Sequence, residues 1–161
     1  MSPAPESRIL VVDDEPFVLE LISTRLQIAG YDVSQAKDGT RALEALRESI
    51  PDAMVLDINM PGLDGFGVLE QMRAVPRWAA IPTMVLTARN RTEDVRRAMS
   101  LGARDYLTKP FDDQQLLMRA LDIVMSFPSI VFGMLILSMT SPGALKTAVV
   151  VGIVYAPAIA P

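Results

Sequence analysis

Along the first 126 residues, short strand-like runs alternate with stretches whose apolar residues recur at three- and four-residue spacing. Strand candidates fall at 9–12, 32–35, 53–56, 83–86 and 105–107. Between them Phe17, Val18, Leu21, Ile22 and Leu26 keep to one helix face, as do Ala42, Leu43 and Leu46, and later Val95, Ala98 and Met99. Polar punctuation supports the same division. Pro16 suits a first helical turn, Gly30 a left-handed C-terminal cap, and Asp38, Asp64, Thr92 and Asp112 can each cap a following helix. The pattern predicts five βα units, hence an α/β fold with a parallel sheet and helices on both faces.

The pattern then stops. All 19 acidic residues and every basic residue except Lys146 lie between Glu6 and Asp122, so a boundary is expected near residue 126. Beyond it two apolar stretches, 123–139 and 145–160, flank the turn signal Ser141-Pro142-Gly143. Each is at or below the ~17–25 residues that cross a bilayer. The division expected is therefore a flexible N-terminus at 1–7, one domain at 8–126 and an apolar tail at 127–161.

Composition removes several kinds of chemistry. The chain of 161 residues has no cysteine and no histidine, which excludes disulfides, thiolate zinc sites, His-ligated metals and Ser-His-Asp triads. The formal charge of -4 argues against a broad nucleic-acid surface, and no direct contact with nucleic acid is expected. Residues 1–7 carry neither a positive n-region nor an apolar core, so no secretory signal is read there and a cytoplasmic location is expected.

What chemistry remains collects at strand ends. The first run stops at Asp13-Asp14, the third at Asp57, the fourth at Thr87, and the fifth just before Lys109-Pro110. In open parallel sheets the carboxyl ends of the strands share one edge, where ligands bind. Taken singly these residues are ordinary: an Asp after a strand is usually a helix cap, and Thr87 and Lys109 would pass as loop groups. Together they make three carboxylates, a hydroxyl and an ammonium. Carboxylates that crowded require protonation or a hard cation, and Mg²⁺ is the natural one. A carboxylate beside Mg²⁺ can attack a phosphoryl group, because the metal offsets repulsion between the two anions. No Walker loop, no GxGxxG after the first strand and no general-base His is present, so the donor is expected to be another protein or a small phosphate ester.

Four segments in order, Val12-Asp13-Asp14-Glu15, Leu56 through Gly65 (LDINMPGLDG), Leu86-Thr87-Ala88, and Tyr106-Leu107-Thr108-Lys109-Pro110-Phe111, closely resemble the receiver domain of bacterial two-component response regulators. The resemblance implies a flavodoxin-like (βα)5 doubly wound sheet with strand order 2-1-3-4-5. It also implies a phosphoryl group received from a sensor histidine kinase or a histidine phosphotransfer protein. Carried over by position, Asp57 is the phosphoacceptor, Asp14 a direct Mg²⁺ ligand, Asp13 a ligand through water and Asn59 the donor of a main-chain carbonyl. Thr87 and Lys109 hold the phosphoryl oxygens, and Tyr106 is the switch aromatic that turns inward when Thr87 moves. Lys109-Pro110 resembles the family's cis peptide. The output implied is a changed surface around the fourth helix, fifth strand and fifth helix, offered to a downstream protein or a second copy. The resemblance further implies a self-phosphorylating acceptor with slow autodephosphorylation, from which no turnover of a foreign substrate is expected.

The tail resembles something different. Met118 to Asp122, Phe127-Pro128-Ser129-Ile130, Ser141-Pro142-Gly143 and Gly152 to Pro157 are similar to an inner part of peptide-type ABC transporter permeases. Three accounts stay open for it: a fusion remnant, a membrane anchor through which the receiver regulates a membrane partner, or an apolar arm for another protein. The enzyme alternative, a Mg²⁺-dependent phosphatase of the haloacid dehalogenase type, needs an acid/base Asp two residues after the nucleophile. Asn59 stands there instead and cannot shuttle a proton. The cations Arg89, Arg91, Arg96 and Arg97 interleave with Glu93 and Asp94, which reads as a solvated helix face.

Overall fold

Ile9 and Val11 point to one side of the first strand and Leu10 and Val12 to the other, and all four are buried, because this strand is covered on both faces. The computed structural model describes residues 7–88 and 92–125. Its elements are β1 (Arg8–Val12), α1 (Pro16–Ile28), β2 (Asp32–Ala36), α2 (Gly39–Glu48), β3 (Ala53–Asp57), α3 (Gly65–Arg73), α4 (Pro76–Ala79), β4 (Thr83–Thr87), α5 (Thr92–Ser100), β5 (Asp105–Thr108) and α6 (Asp113–Met125). Every strand pair is parallel and the order is β2-β1-β3-β4-β5, the flavodoxin-like doubly wound sheet. The chain reverses its direction of travel across the sheet at β1, so the switch point lies between β1 and β3.

Two apolar layers hold the sheet. Leu10, Val12, Met54, Leu56 and Val85 meet α2, α3 and α4 through Leu43, Leu46, Leu69 and Trp78. On the opposite face Ile9, Val11, Val55, Met84 and Leu86 meet α1 and α6 through Ile22, Leu26, Leu116 and Ile123. The central strands β3 and β4 are buried along their whole length, whereas β2, at the edge, is mostly exposed.

The caps follow the sequence with one exception. Asp38 accepts from the Arg41 N–H at 2.7 Å, Asp64 from Gly67 at 2.8 Å and Asp112 from Gln115 at 2.7 Å, each satisfying a first-turn donor that the helix cannot pair internally. Thr92 is instead the first helical residue of α5. Gly30 ends α1 at φ +96°, as its cap role requires. The short helix α4 was not foreseen, since four residues show no periodicity. Its Trp78 is buried against α3 and the start of β4.

The flexible N-terminus expected at 1–7, the roles suggested for Arg89 and Arg91, and the whole apolar tail lie outside the described residues, apart from Ser7. Among the described residues, no helix is long and apolar enough to cross a membrane.

Candidate active site at the carboxyl edge of the sheet

β1 and β3 are neighbours in register, with Val12 opposite Leu56, so Asp13 and Asp57 follow one step later on adjacent strand ends. Asp13, Asp14 and Asp57 each bring a carboxylate oxygen within 4.8 Å of the other two. Asp13 and Asp57 are buried, at 0% and 2% exposure, and Asp14 is half-buried at the mouth. Neither Asp13 nor Asp14 serves as the cap of α1, the ordinary role open to them. The capping position is Glu15, whose side chain makes no cap bond, and Asp13 Oδ1 accepts from the Glu15 N–H at 2.9 Å in a tight local turn.

Lys109 crosses from the loop after β5. Its Nζ donates to Asp13 Oδ2 at 2.7 Å and stands 3.3 Å from Asp57 Oδ1 and 3.8 Å from Glu15 Oε1, and the side chain is only 16% exposed. The Lys109–Pro110 bond is cis. Main-chain bonds set the reach of this loop, for the Lys109 N–H donates to the Thr87 carbonyl at 2.8 Å, tying the ends of β4 and β5 together. Thr87 is buried beside them. Tyr106 is opposite Val85 in the sheet register, two residues before the Thr87 level and on the same face, and the residue is 39% exposed. Asn59 is exposed in the loop between β3 and α3. The sequence-predicted residues thus occupy one edge, with Asn59 and Tyr106 at its rim.

The electrostatics are unbalanced. Burial, with Asp13 and Asp14 adding repulsion, pushes the Asp57 carboxyl up to about 6 against the opposing pull of Lys109. For Lys109 burial works downward, but its bond to Asp13 and the charges of Asp57 and Asp13 outweigh it, and the ammonium is held above its ordinary value. One fixed cation among three carboxylates leaves an excess of negative charge and only oxygen donors. That donor set fits a hard divalent ion such as Mg²⁺.

Glycine clears the way for this arrangement. A Cβ on Gly65 would collide with the Asp57 carbonyl oxygen and the Ile58 Cα, so only glycine lets α3 begin directly against the end of β3. Two groups escaped the reading of the sequence. Glu15 approaches Lys109, and Lys37 directly follows β2. The strand-end rule would have found Lys37 had β2 been treated like the other strands.

The family model for the response regulator receiver domain matches residues 9–121. The chain belongs to this family. Among relatives of the receiver, the DNA-binding dual master transcriptional regulator RpaA of Synechocystis is 43% identical over 112 residues, covering 70% of this chain and 46% of that protein. The transcriptional regulatory protein PrrA of Mycobacterium tuberculosis is 44% identical over 112 residues, covering 70% and 47%. The chain therefore spans about half the length of these curated relatives. Among solved structures, the receiver domain of a Pseudomonas aeruginosa sensor histidine kinase, with magnesium coordinated in its active-site cleft, superposes with a TM-score of 0.70 at 30% identity, covering 75% of this chain and 99% of that one.

These relatives correct one expectation. The exclusion of direct nucleic-acid contact rested on the acidic balance of the chain, yet RpaA carries a receiver like this one and is a DNA-binding protein. The charge of a receiver says nothing about a second domain joined to it, so the inference does not hold. The match to the receiver model ends before the apolar tail begins.

Proposed function

We propose that this receiver takes a phosphoryl group on Asp57 from a sensor histidine kinase or a histidine phosphotransfer protein, with Mg²⁺ held by the Asp13, Asp14 and Asp57 carboxylates and the main-chain carbonyl of Asn59. The observation that carries the reading is the meeting of three carboxylates with the Lys109 ammonium at one buried sheet edge. The ion, when bound, offsets repulsion between the Asp57 carboxylate and the incoming phosphoryl oxygens. Lys109 then exchanges part of its contact with Asp57 for the new anion, and the Thr87 hydroxyl supplies a neutral donor. Tyr106, on the Thr87 face of the sheet, follows inward, and the surface formed by α5, β5 and α6 changes.

Residues 8–126 are the receiver and 127–161 a separate apolar extension in this reading. The protein acts in the cytoplasm, and its phosphorylation serves a transcriptional output of the kind that RpaA and PrrA exert. Incubation with acetyl phosphate and Mg²⁺ followed by intact-mass analysis tests the core claim. One added phosphate is expected, absent without Mg²⁺ and absent in Asp57→Asn; an Asp57→Asn chain phosphorylated as fully as the wild type would refute it.

A further inference from the structure

The amino edge of the sheet, away from Asp57, carries a cavity that the phosphoacceptor reading does not use. It opens at the start of β4, where Thr83 lies about 13 Å along the strand from Thr87. Leu69 and Met72 of α3, Trp78 of α4 and Ile81 give it an apolar floor, and all four are buried. Both hydroxyls in the lining are already bonded to main-chain carbonyls, Thr83 to Ile81 at 3.1 Å and Ser100 to Arg97 at 2.7 Å. The volume is about 140 Å³. That is room for roughly one six-membered ring or one branched side chain.

Cations stand around this cavity. Arg73, at the end of α3, is the one charged residue of the lining among the described residues. Arg77 adjoins Trp78 in α4, and Arg104 follows Gly102 by two residues, with its N–H bonded to the Thr83 carbonyl at 2.8 Å. All three are exposed, and their guanidinium groups make no ion pair among the described residues. The carboxylates of the neighbouring elements are engaged elsewhere: Glu70 of α3 by Arg97 at 3.2 Å, Asp105 of β5 by Arg119 at 2.7 Å. A single arginine in the last turn of a helix is ordinary, since it offsets the helix dipole. Three of them beside one apolar hole form a rim that favours an anionic partner.

We propose that this corner of α3, α4 and the turn after α5 is a docking surface for an acidic segment of another protein. The segment seats one leucine-, methionine- or phenylalanine-sized side chain in the cavity and sets its carboxylates against Arg73, Arg77 and Arg104. An apolar anchor in a pocket with a charged rim is the usual anatomy of a small protein interface. A nucleic-acid backbone is the poorer fit, because it calls for a longer stripe of cations and has no side chain to fill the hole. The surface is independent of whether Asp57 accepts phosphate.

Trp78 is the single tryptophan of the chain, so its fluorescence reports on this cavity. The probes are the peptides acetyl-Glu-Asp-X-Glu-Asp-amide with X as Leu, Met or Phe, titrated into the full chain. Controls carry Ala at X, or Lys in place of every acidic residue. At least one acidic peptide is expected to give a saturable change with a Kd below about 1 mM. Ala at X should weaken it roughly tenfold or more, and the Lys peptides should not bind. Arg73→Ala/Arg77→Ala should weaken it roughly three- to thirtyfold, the effect of two exposed ionic contacts, and Arg73→Lys/Arg77→Lys should restore most of the loss. Ala79→Leu, an exposed position in the lining, narrows the cavity without altering charge and should weaken binding as the Ala peptide does. No saturable change with any acidic peptide overturns the proposal, as does equal binding of the acidic and Lys peptides. Binding that ignores Ala79→Leu and the arginine variants places the peptide elsewhere and overturns it too. An oligonucleotide that reproduces the Trp78 change, or a change in oligomeric state caused by these variants, would assign the surface to nucleic acid or to a second copy instead.

Discussion

Asp57 is the residue in which the site's energetics can be measured most directly. Its carboxyl is pushed up to about 6, first by burial and then by Asp13 and Asp14, so the folded protein holds a proton on it at pH values where the unfolded chain, near the ordinary 3.8, has lost it. A raised carboxyl means that ionisation is costlier in the folded state. Stability in metal-free buffer therefore falls as pH rises from about 4 to 6, by roughly 3 kcal/mol in all, and then levels. Asp57→Asn lacks this component. Urea denaturation in chelator across that range should show wild type losing stability relative to the variant; parallel profiles would contradict the charge imbalance described for the site. Asp13, Asp57 and Lys109 were legible in the sequence because each lies immediately past a recognisable strand or beside a proline. Lys37 also follows a recognisable strand, but an exposed lysine past an edge strand reads as an ordinary loop charge.

At the scale of elements, the join between β3 and α3 is the tightest constraint on the site. Gly65 lets the helix start against the last residue of β3, and Asp64 supplies the cap through its bond to Gly67 at 2.8 Å. Gly65→Ala forces the Asp57 main chain to move, and a loss of about 1–3 kcal/mol is expected together with slower phosphorylation, since the strain falls on the acceptor itself. Asp64→Ala should cost about 1 kcal/mol by removing the cap while leaving the acceptor's main chain in place. Thermal unfolding and phosphorylation rates measured on both variants separate the two effects, and similar rates for the two would argue against strain at Asp57. The presence of α1, α2, α3 and α5 was readable from apolar spacing and caps. The short α4 was not, since its Trp78 is defined by what it covers rather than by any repeat along the chain.

For the whole molecule, the abrupt change of composition after Asp122 is expected to dominate behaviour in solution. A receiver's last helix packs on the sheet, as α6 does through Leu116, Ala120 and Ile123, and the sequence that follows carries a single charge, Lys146. Apolar sequence of that extent, wherever it meets water, promotes association. A chain ending at Ser126 is expected to remain monodisperse at concentrations where the 161-residue chain aggregates, as read by light scattering; equal behaviour of the two would refute this.

The sequence by itself determined the alternation of strands and helices, the caps and the identity of the strand-end groups, because these depend on spacing along the chain and on local hydrogen bonds. It also carried the family, through four motifs in order. Only the tertiary structure decided that Lys109 bridges Asp13 and Asp57, that burial raises the Asp57 carboxyl, and that Lys37 and Arg41 line one cleft with Asp13 and Asp14. Those properties come from distances between residues far apart in the chain and from the exclusion of water between two covered faces, and packing alone sets them.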